Sequence, residues 1–288
     1  MAPIEEAKDV VLGHADIEDA LLLSDEARWN QTAAEWAVFI DHGEVFGVRA
    51  GGRLVATAAI LPYGGGFGWV SMVLVTADWR RRGLASRLIG RCIAGLRTRG
   101  CAALLDATPE GALVYAQLGF RSKSGMSRWR GMGRGEVARQ TVAEENYVSE
   151  NLHMAATVAD RAGILARDRQ VFGGDRGFLL ENFLDRSGTA VIGGGRNFVI
   201  MREGRRAMQI GPLIAGSDAE ARDLLEAALA AASGPVILDV LDAGAGLNPV
   251  LEKHGFEAFR GFERMVLDRD GLPGEPAALM VAAGPEFG

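Results

Sequence analysis

Val73-Leu74-Val75-Thr76-Ala77-Asp78-Trp79-Arg80-Arg81-Arg82-Gly83-Leu84-Ala85 changes its hydrophobic period midway. Before it, Phe67 to Val75 reads as a strand; after it, Leu84, Leu88, Ile89, Cys92, Ile93 and Leu96 follow helical spacing. Gly100 stands where a helix-terminating glycine belongs. Three arginines open this helix, where cations are unfavourable beside the positive end of the helix dipole. Small residues at Gly83 and Ala85 let a ligand approach the backbone, and helix N–H groups left free there attract an anion, pyrophosphate above all. By these residues alone, an anion site and a basic surface turn are both open readings.

Working outward, Arg53 to Leu61 is a strand candidate, and Pro62 to Gly66 a turn that makes it a hairpin with the strand at Phe67. Further upstream, Ile17, Ala20, Leu21 and Leu22 are amphipathic, and β-like runs begin at Phe39 and Val45. Downstream come a strand at Cys101 to Leu105, a short helix from Pro109 to Leu118 stopped by Gly119, and a strand from Phe120 to about Trp129. The Gly-rich and Glu-rich stretch around 133–150 is the expected linker between a first domain, 1–132, and a second, 151–288.

The second half echoes the first at an offset of 136 residues. Gly119-Phe120 recurs as Gly255-Phe256, Leu88-Ile89 as Leu224-Leu225, Met72 as Met208 and Arg128 as Arg264. The echo has lost its basic turn: Arg80, Gly83 and Tyr115 become Gly216, Ala219 and Leu251. Its helix opens on Ser217-Asp218-Ala219-Glu220, a capping box that satisfies the N-terminus internally and repels a phosphate. One anion site, in the first half, is expected.

The stretch from Val73 to Ala85 resembles the acetyl-CoA motif of the GNAT superfamily, (Arg/Gln)-x-x-Gly-x-(Gly/Ala) after a strand. Ala112-Leu113-Val114-Tyr115-Ala116-Gln117-Leu118-Gly119-Phe120 resembles its second signature, a short helix ending in Tyr-x-x-Leu-Gly-Phe. The resemblance implies an α+β (mixed α/β) fold. It would have tandem GNAT-like domains, each a mixed, mostly antiparallel central sheet flanked by helices, with the second domain degenerate. It implies an N-acetyltransferase using acetyl-CoA as co-substrate and a small-molecule or peptide amine as acceptor. Backbone amides of Arg81, Arg82, Gly83, Leu84, Ala85 and Ser86, with Arg80 alongside, would hold the pyrophosphate. The strand edge at Met72, Val73, Leu74 and Val75 would pair with pantetheine. The Val73 N–H would support the oxyanion, and Tyr115 would protonate the leaving thiolate.

Two departures stand out. Many members carry a glutamate on the strand before the CoA loop as base, but Phe67-Gly68-Trp69-Val70-Ser71-Met72-Val73-Leu74-Val75 has no carboxylate. The base is left open between water, Asp106 and an acid elsewhere. The asparagine often found after the next strand is also missing, from Asp106-Ala107-Thr108-Pro109-Glu110. The acceptor candidates are Trp29, Asn30, Ser71 and Asp106. A non-catalytic acyl-CoA sensor is the alternative, and turnover separates the two. The second half is expected to complete the acceptor pocket or act as a lid.

Composition narrows the classes. The 288 residues carry a net charge of −6, which disfavours a nucleic-acid binder. No apolar run has membrane-spanning length, and Met1-Ala2-Pro3-Ile4-Glu5-Glu6 does not read as a signal peptide, so a cytoplasmic monomer or homodimer is expected. Cys92 and Cys101 and the scattered histidines His14, His42, His153 and His254 form no ligand spacing, so no metal is expected. Val236 to Gly246 resembles a methyltransferase glycine motif, but the chain after it is too short for a doubly wound sheet. Gly284-Pro285-Glu286-Phe287-Gly288 reads as a disordered tail.

Overall fold

The computed structural model describes residues 7–135 and 158–288. In the first half, β1 (Ala7–Val11), α1 (Ile17–Glu26), α2 (Ala33–His42), β2 (Glu44–Ala50), β3 (Arg53–Tyr63) and β4 (Phe67–Val75) lead to α3 (Leu84–Arg97), β5 (Ala102–Ala107), α4 (Pro109–Gln117) and β6 (Arg121–Arg134). The second half comprises α5 (Val158–Phe172), α6 (Gly177–Leu184), β7 (Ala190–Gly194), β8 (Asn197–Arg202), β9 (Met208–Ile214), α7 (Asp218–Ala231), β10 (Ser233–Leu241), α8 (Asn248–Lys253), β11 (Glu257–Leu267) and β12 (Leu279–Val281). The expected α+β fold and the duplicated order of elements are both present.

The local chemistry explains the boundaries. α3 buries Leu84, Leu88, Ile89, Cys92, Ile93 and Leu96 against the sheet, the face expected from its spacing. Gly100 and Gly119 end α3 and α4 at φ values of 66° and 95°, which side chains rarely adopt. Thr108 caps α4, its hydroxyl accepting from the Gly111 N–H at 3.2 Å. The segment expected to carry an asparagine is therefore a helix cap.

All strands join one sheet in the order β1-β2-β3-β4-β5-β11-β6-β10-β12-β9-β8-β7. The halves have exchanged strands. β11, from the second half, pairs antiparallel with β5 of the first. β6, from the first half, pairs antiparallel with β10 of the second, and β6 and β11 pair with each other at the centre. β6 runs to Arg134 inside the sheet, so the first residues of the expected 133–150 linker are strand; 136–150 lies outside the described residues.

Each exchanged strand carries an arginine into the other half, and these are the two arginines of the sequence echo. Arg128 on β6 grips Asp239 on β10 with bonds of 2.7 and 2.9 Å. Arg264 on β11 grips Asp106 on β5 with two bonds of 2.8 Å. Both carboxylates are fully buried. Paired bidentate geometry is what makes charges tolerable at such depth.

The apolar core crosses the halves as well. Trp36, Phe39, Tyr63, Phe67 and Trp69 of the first half share one cluster with Phe172, Leu179, Phe183 and Phe287 of the second. Segment 284–288 is not the disordered tail that its composition suggests. Phe287 is fully buried and stacks on Phe39 at 5.3 Å between ring centres. Tyr63 Oη donates to Phe287 O at 3.0 Å, Trp69 Nε1 donates to Pro285 O at 2.9 Å, and Arg176 donates to the backbone oxygens of Phe287 and Gly288.

Candidate active site

β4 and β5 run parallel for only three residue pairs, Phe67 with Ala102 through Trp69 with Leu104. Beyond Trp69 they splay, leaving the edge of β4 from Val70 onward open to a cleft. β9 and β10 repeat this splay after Ile210 and Leu238. There the wedge is filled by the chain itself: β12 pairs with β10 at Val281 and with β9 at Leu279 and Val281. The second half has thus stitched closed the opening that the first half retains.

A bulge shapes the open edge. Ala59 pairs with Ser71 and Thr57 with Leu74, so β4 holds one residue more than β3 across this step. Met72 takes up the excess at a φ of 52°, a conformation that costs a non-glycine residue about 1–2 kcal/mol. The buried Thr57 hydroxyl holds the kink by donating to Met72 O at 2.8 Å. After the bulge, the Thr76 N–H bonds back to Val55 O on β3. Strand alternation then turns the N–H groups of Val73 and Val75 toward the cleft.

The cleft is continuous along β4. At one end, Val73, Leu74, Val75, Thr76, Arg80 and Ala85 line a groove of about 510 Å³. Arg81 and Gly83 have φ values of 58° and 76°, and Gly83 caps α3 in the left-handed region. No side chain caps this helix and no acid stands in its first turn. The N–H groups of Leu84, Ala85 and Ser86 therefore keep no intrahelical acceptor. α7 is the contrast: Ser217 accepts from the Glu220 N–H, with Asp218 and Glu220 in the first turn. Arg80 folds back, its Nε donating to Val75 O at 3.2 Å, and Arg82 donates to Asp78 O while its guanidinium lies 4.6 Å from the Trp79 ring.

At the other end is a chamber of about 160 Å³ lined by Trp29, Gln31, Ser71, Tyr115, Arg260 and Glu286, with Val73 and Thr108 at the junction. Tyr115 enters from α4, its ring 5.9 Å from Phe120. Burial, with a small push from Cys92, raises its phenol to about 12. Two buried oxygens in the chamber, Gln31 Oε1 and Ser71 Oγ, have no hydrogen-bond partner among the described residues.

The cleft thus gathers the sequence-selected Trp29, Ser71, Met72, Val73, Leu74, Val75, Arg80, Ala85, Asp106 and Tyr115. Asn30 stands elsewhere. Its amide donates to Ala207 O and accepts from the N–H groups of Arg206 and Ala207, tying the α1–α2 loop to the second half. Asp106 lines the chamber, but both of its oxygens are held by Arg264. Burial pushes its carboxyl above the ordinary carboxylate range against the pull of that arginine. Sequence reasoning missed Gln31, Arg260 and Glu286. Gln31 adjoins the selected Trp29-Asn30 pair, so proximity could have found it. Glu286 carries no local signal, because only β12 brings it across.

Comparison with known proteins agrees with this geometry. The family model described as acetyltransferase (GNAT) family matches residues 15–120, and one described as acetyltransferase (GNAT) domain matches residues 164–279. The chain is 23% identical over 254 residues to YitH, an uncharacterized N-acetyltransferase of Bacillus subtilis (strain 168), covering 86% of each. A candidate acetyltransferase from Pyrococcus horikoshii shares the fold with a TM-score of 0.80 at 17% identity, over 100% of this chain and 98% of that one. A tandem GNAT protein from the clavulanic acid biosynthesis pathway gives a TM-score of 0.60 at 15% identity, over 91% and 98%. A mixed sheet with an open β4–β5 wedge and an uncapped α3 defines an acetyltransferase scaffold. The chain belongs to the GNAT superfamily, with two GNAT-like halves in tandem.

Proposed function

We propose that the chain transfers an acetyl group from acetyl-CoA to a primary amine, using one cofactor cleft, that of the first half. The observation that carries this reading is the open wedge beside an uncapped, arginine-bearing helix start, set against its self-filled and acid-capped counterpart. The residues fit the group: free N–H groups at Leu84 to Ser86 suit a pyrophosphate, and the open edge at Val73 and Val75 suits the amides of pantetheine. Bound there, acetyl-CoA would supply the thioester. The Val73 N–H would stabilise negative charge developing on the thioester oxygen. Tyr115 would give its proton to the departing sulfur. A phenol raised to about 12 keeps that proton throughout the neutral range.

Acetyl-CoA titrated calorimetrically is expected to bind, and thiol release with primary amines is expected to follow. Binding without release from any amine would replace this reading with that of an acyl-CoA sensor. Gly83→Asp is expected to weaken acetyl-CoA binding about 100-fold. A residue with a β-carbon is strained at this φ, and its carboxylate would face the pyrophosphate. An unchanged affinity would move the cofactor elsewhere.

Tyr115→Phe is expected to lower kcat about 100-fold while leaving acetyl-CoA affinity unchanged. Because the folded phenol titrates above its unfolded value, the kcat profile should show no alkaline loss from this group below about pH 11, and the fold should lose stability only as pH rises past 10. A kcat insensitive to Tyr115→Phe would remove the acid from the scheme.

A further inference from the structure

β4 carries no carboxylate to take a proton from the amine, and the second half carries one into the chamber. Segment 282–288 leaves β12 and crosses to the first half, where Glu286 lines the same chamber as Ser71, Val73 and Tyr115. Its position is fixed on both sides, by the Trp69 bond to Pro285 O and by the Tyr63 bond to Phe287 O. Its nearest cation is Arg202, at 3.9 Å from Oε1, too long for a direct hydrogen bond. Arg128, also in the chamber wall, has its guanidinium occupied by Asp239. Glu286 therefore differs from Asp106, whose two oxygens are both claimed by Arg264.

Its surroundings suit an amine. Gln31 Oε1 can only accept a hydrogen bond, Ser71 Oγ can accept one, and both are buried without partners. An amine offers donors to each, and a neutral apolar group would leave both unsatisfied. Burial also pushes the Glu286 carboxyl above the ordinary carboxylate range, against the pull of Arg202 and Arg128 and of hydrogen bonds from its own backbone N–H and the Gln31 side chain, toward the basicity a proton acceptor needs.

Building on the acetyltransferase reading, we propose that Glu286, delivered by the degenerate half, is the proton acceptor for the attacking amine, which Gln31 and Ser71 orient. The amine lone pair forms the new C–N bond at the thioester carbonyl, and the nitrogen gives a proton to the Glu286 carboxylate. The C–S bond breaks with its electron pair on sulfur, which takes the Tyr115 proton. Exchange with water returns the proton from Glu286 to Tyr115, so amine and acetyl-CoA give amide and free CoA. The self-filled wedge thereby acquires a use: by filling it, β12 aims the following segment into the working site.

The test compares wild type with Glu286→Gln, which keeps the side chain's shape. The panel is ethanolamine, spermidine, glucosamine and lysine methyl ester, together with p-anisidine, whose weakly basic nitrogen is already neutral above about pH 6. Glu286→Gln is expected to lower kcat/KM about 100-fold and to abolish the acidic limb seen with p-anisidine. Its acetyl-CoA affinity by calorimetry and its thermal midpoint should match wild type. Wild-type turnover with an unchanged rate and pH profile in Glu286→Gln overturns the assignment and leaves the acetyltransferase reading standing. Acetyl-CoA binding without turnover of any amine by wild type removes both. Should Glu286→Gln unfold, the p-anisidine profile of wild type decides: an acidic limb that persists above about pH 6, where the amine is already neutral, supports the assignment, and a flat profile from about pH 6 to 8 rejects it.

Discussion

A chain ending at residue 135 should not fold as a monomer. It would retain both GNAT signatures and the whole cofactor cleft, yet it would lose β11, the strand that lies between β5 and β6. Both of those strands would then present unpaired edges, a template for aggregation. It would also lose Phe172, Phe183 and Phe287 from the cluster that covers Phe39, Tyr63, Phe67 and Trp69. At roughly 1.5–3 kcal/mol for each large apolar side chain uncovered, the loss rivals the ~5–15 kcal/mol that keeps a typical domain folded. The expected result is a fragment without a cooperative thermal transition, aggregating in size-exclusion chromatography. A monomeric fragment with a sharp transition and full-length affinity for acetyl-CoA would show that the exchanged strand is dispensable.

Arg264→Ala should destabilise the full chain by about 3–5 kcal/mol, because it strands the Asp106 carboxyl in the centre of the sheet without its partner. The midpoint of thermal unfolding should fall by roughly 10 °C. Converting both residues to apolar ones, Asp106→Leu with Arg264→Met, should recover most of the loss, since an unpaired buried charge costs more than a missing pair. Urea unfolding of the single and double variants makes the comparison. Equal destabilisation in both would mean that the pair itself, and not the orphaned carboxyl, carries the energy. Arg128 and Asp239 form the related pair on the other side of the exchange, with Gln209 Nε2 as a third donor at 3.0 Å. The same logic applies there.

The geometry of the proposed cofactor half of the site was legible because its chemistry is local. A strand edge, a glycine in the left-handed region and three helix N–H groups fall within the fifteen residues from Met72 to Ser86, and each leaves a mark on the residue types that local geometry permits. The capping box at Ser217 was legible for the same reason: a helix start is satisfied or left free by its own neighbours. Asn30 shows the limit. Its place beside Trp29 suggested an acceptor contact, but its amide matches a turn at Arg206 and Ala207 that lies far along the chain.

The duplication, the single basic helix start and the tyrosine helix could be read from residue types, because periodicity, capping and turn chemistry act over a few residues; the fold class followed from the family resemblance that those stretches carry. Three features emerge from long-range packing alone: the halves trade strands through Arg128 and Arg264, β12 closes the second wedge, and the segment read as a loose tail ends as a buried wall of the first half's chamber. Those outcomes depend on which strand edge finds which partner across more than a hundred residues. Pairing at that range is set by packing and buried charge over the whole sheet, and nothing in the spacing of Pro285-Glu286-Phe287 announces it.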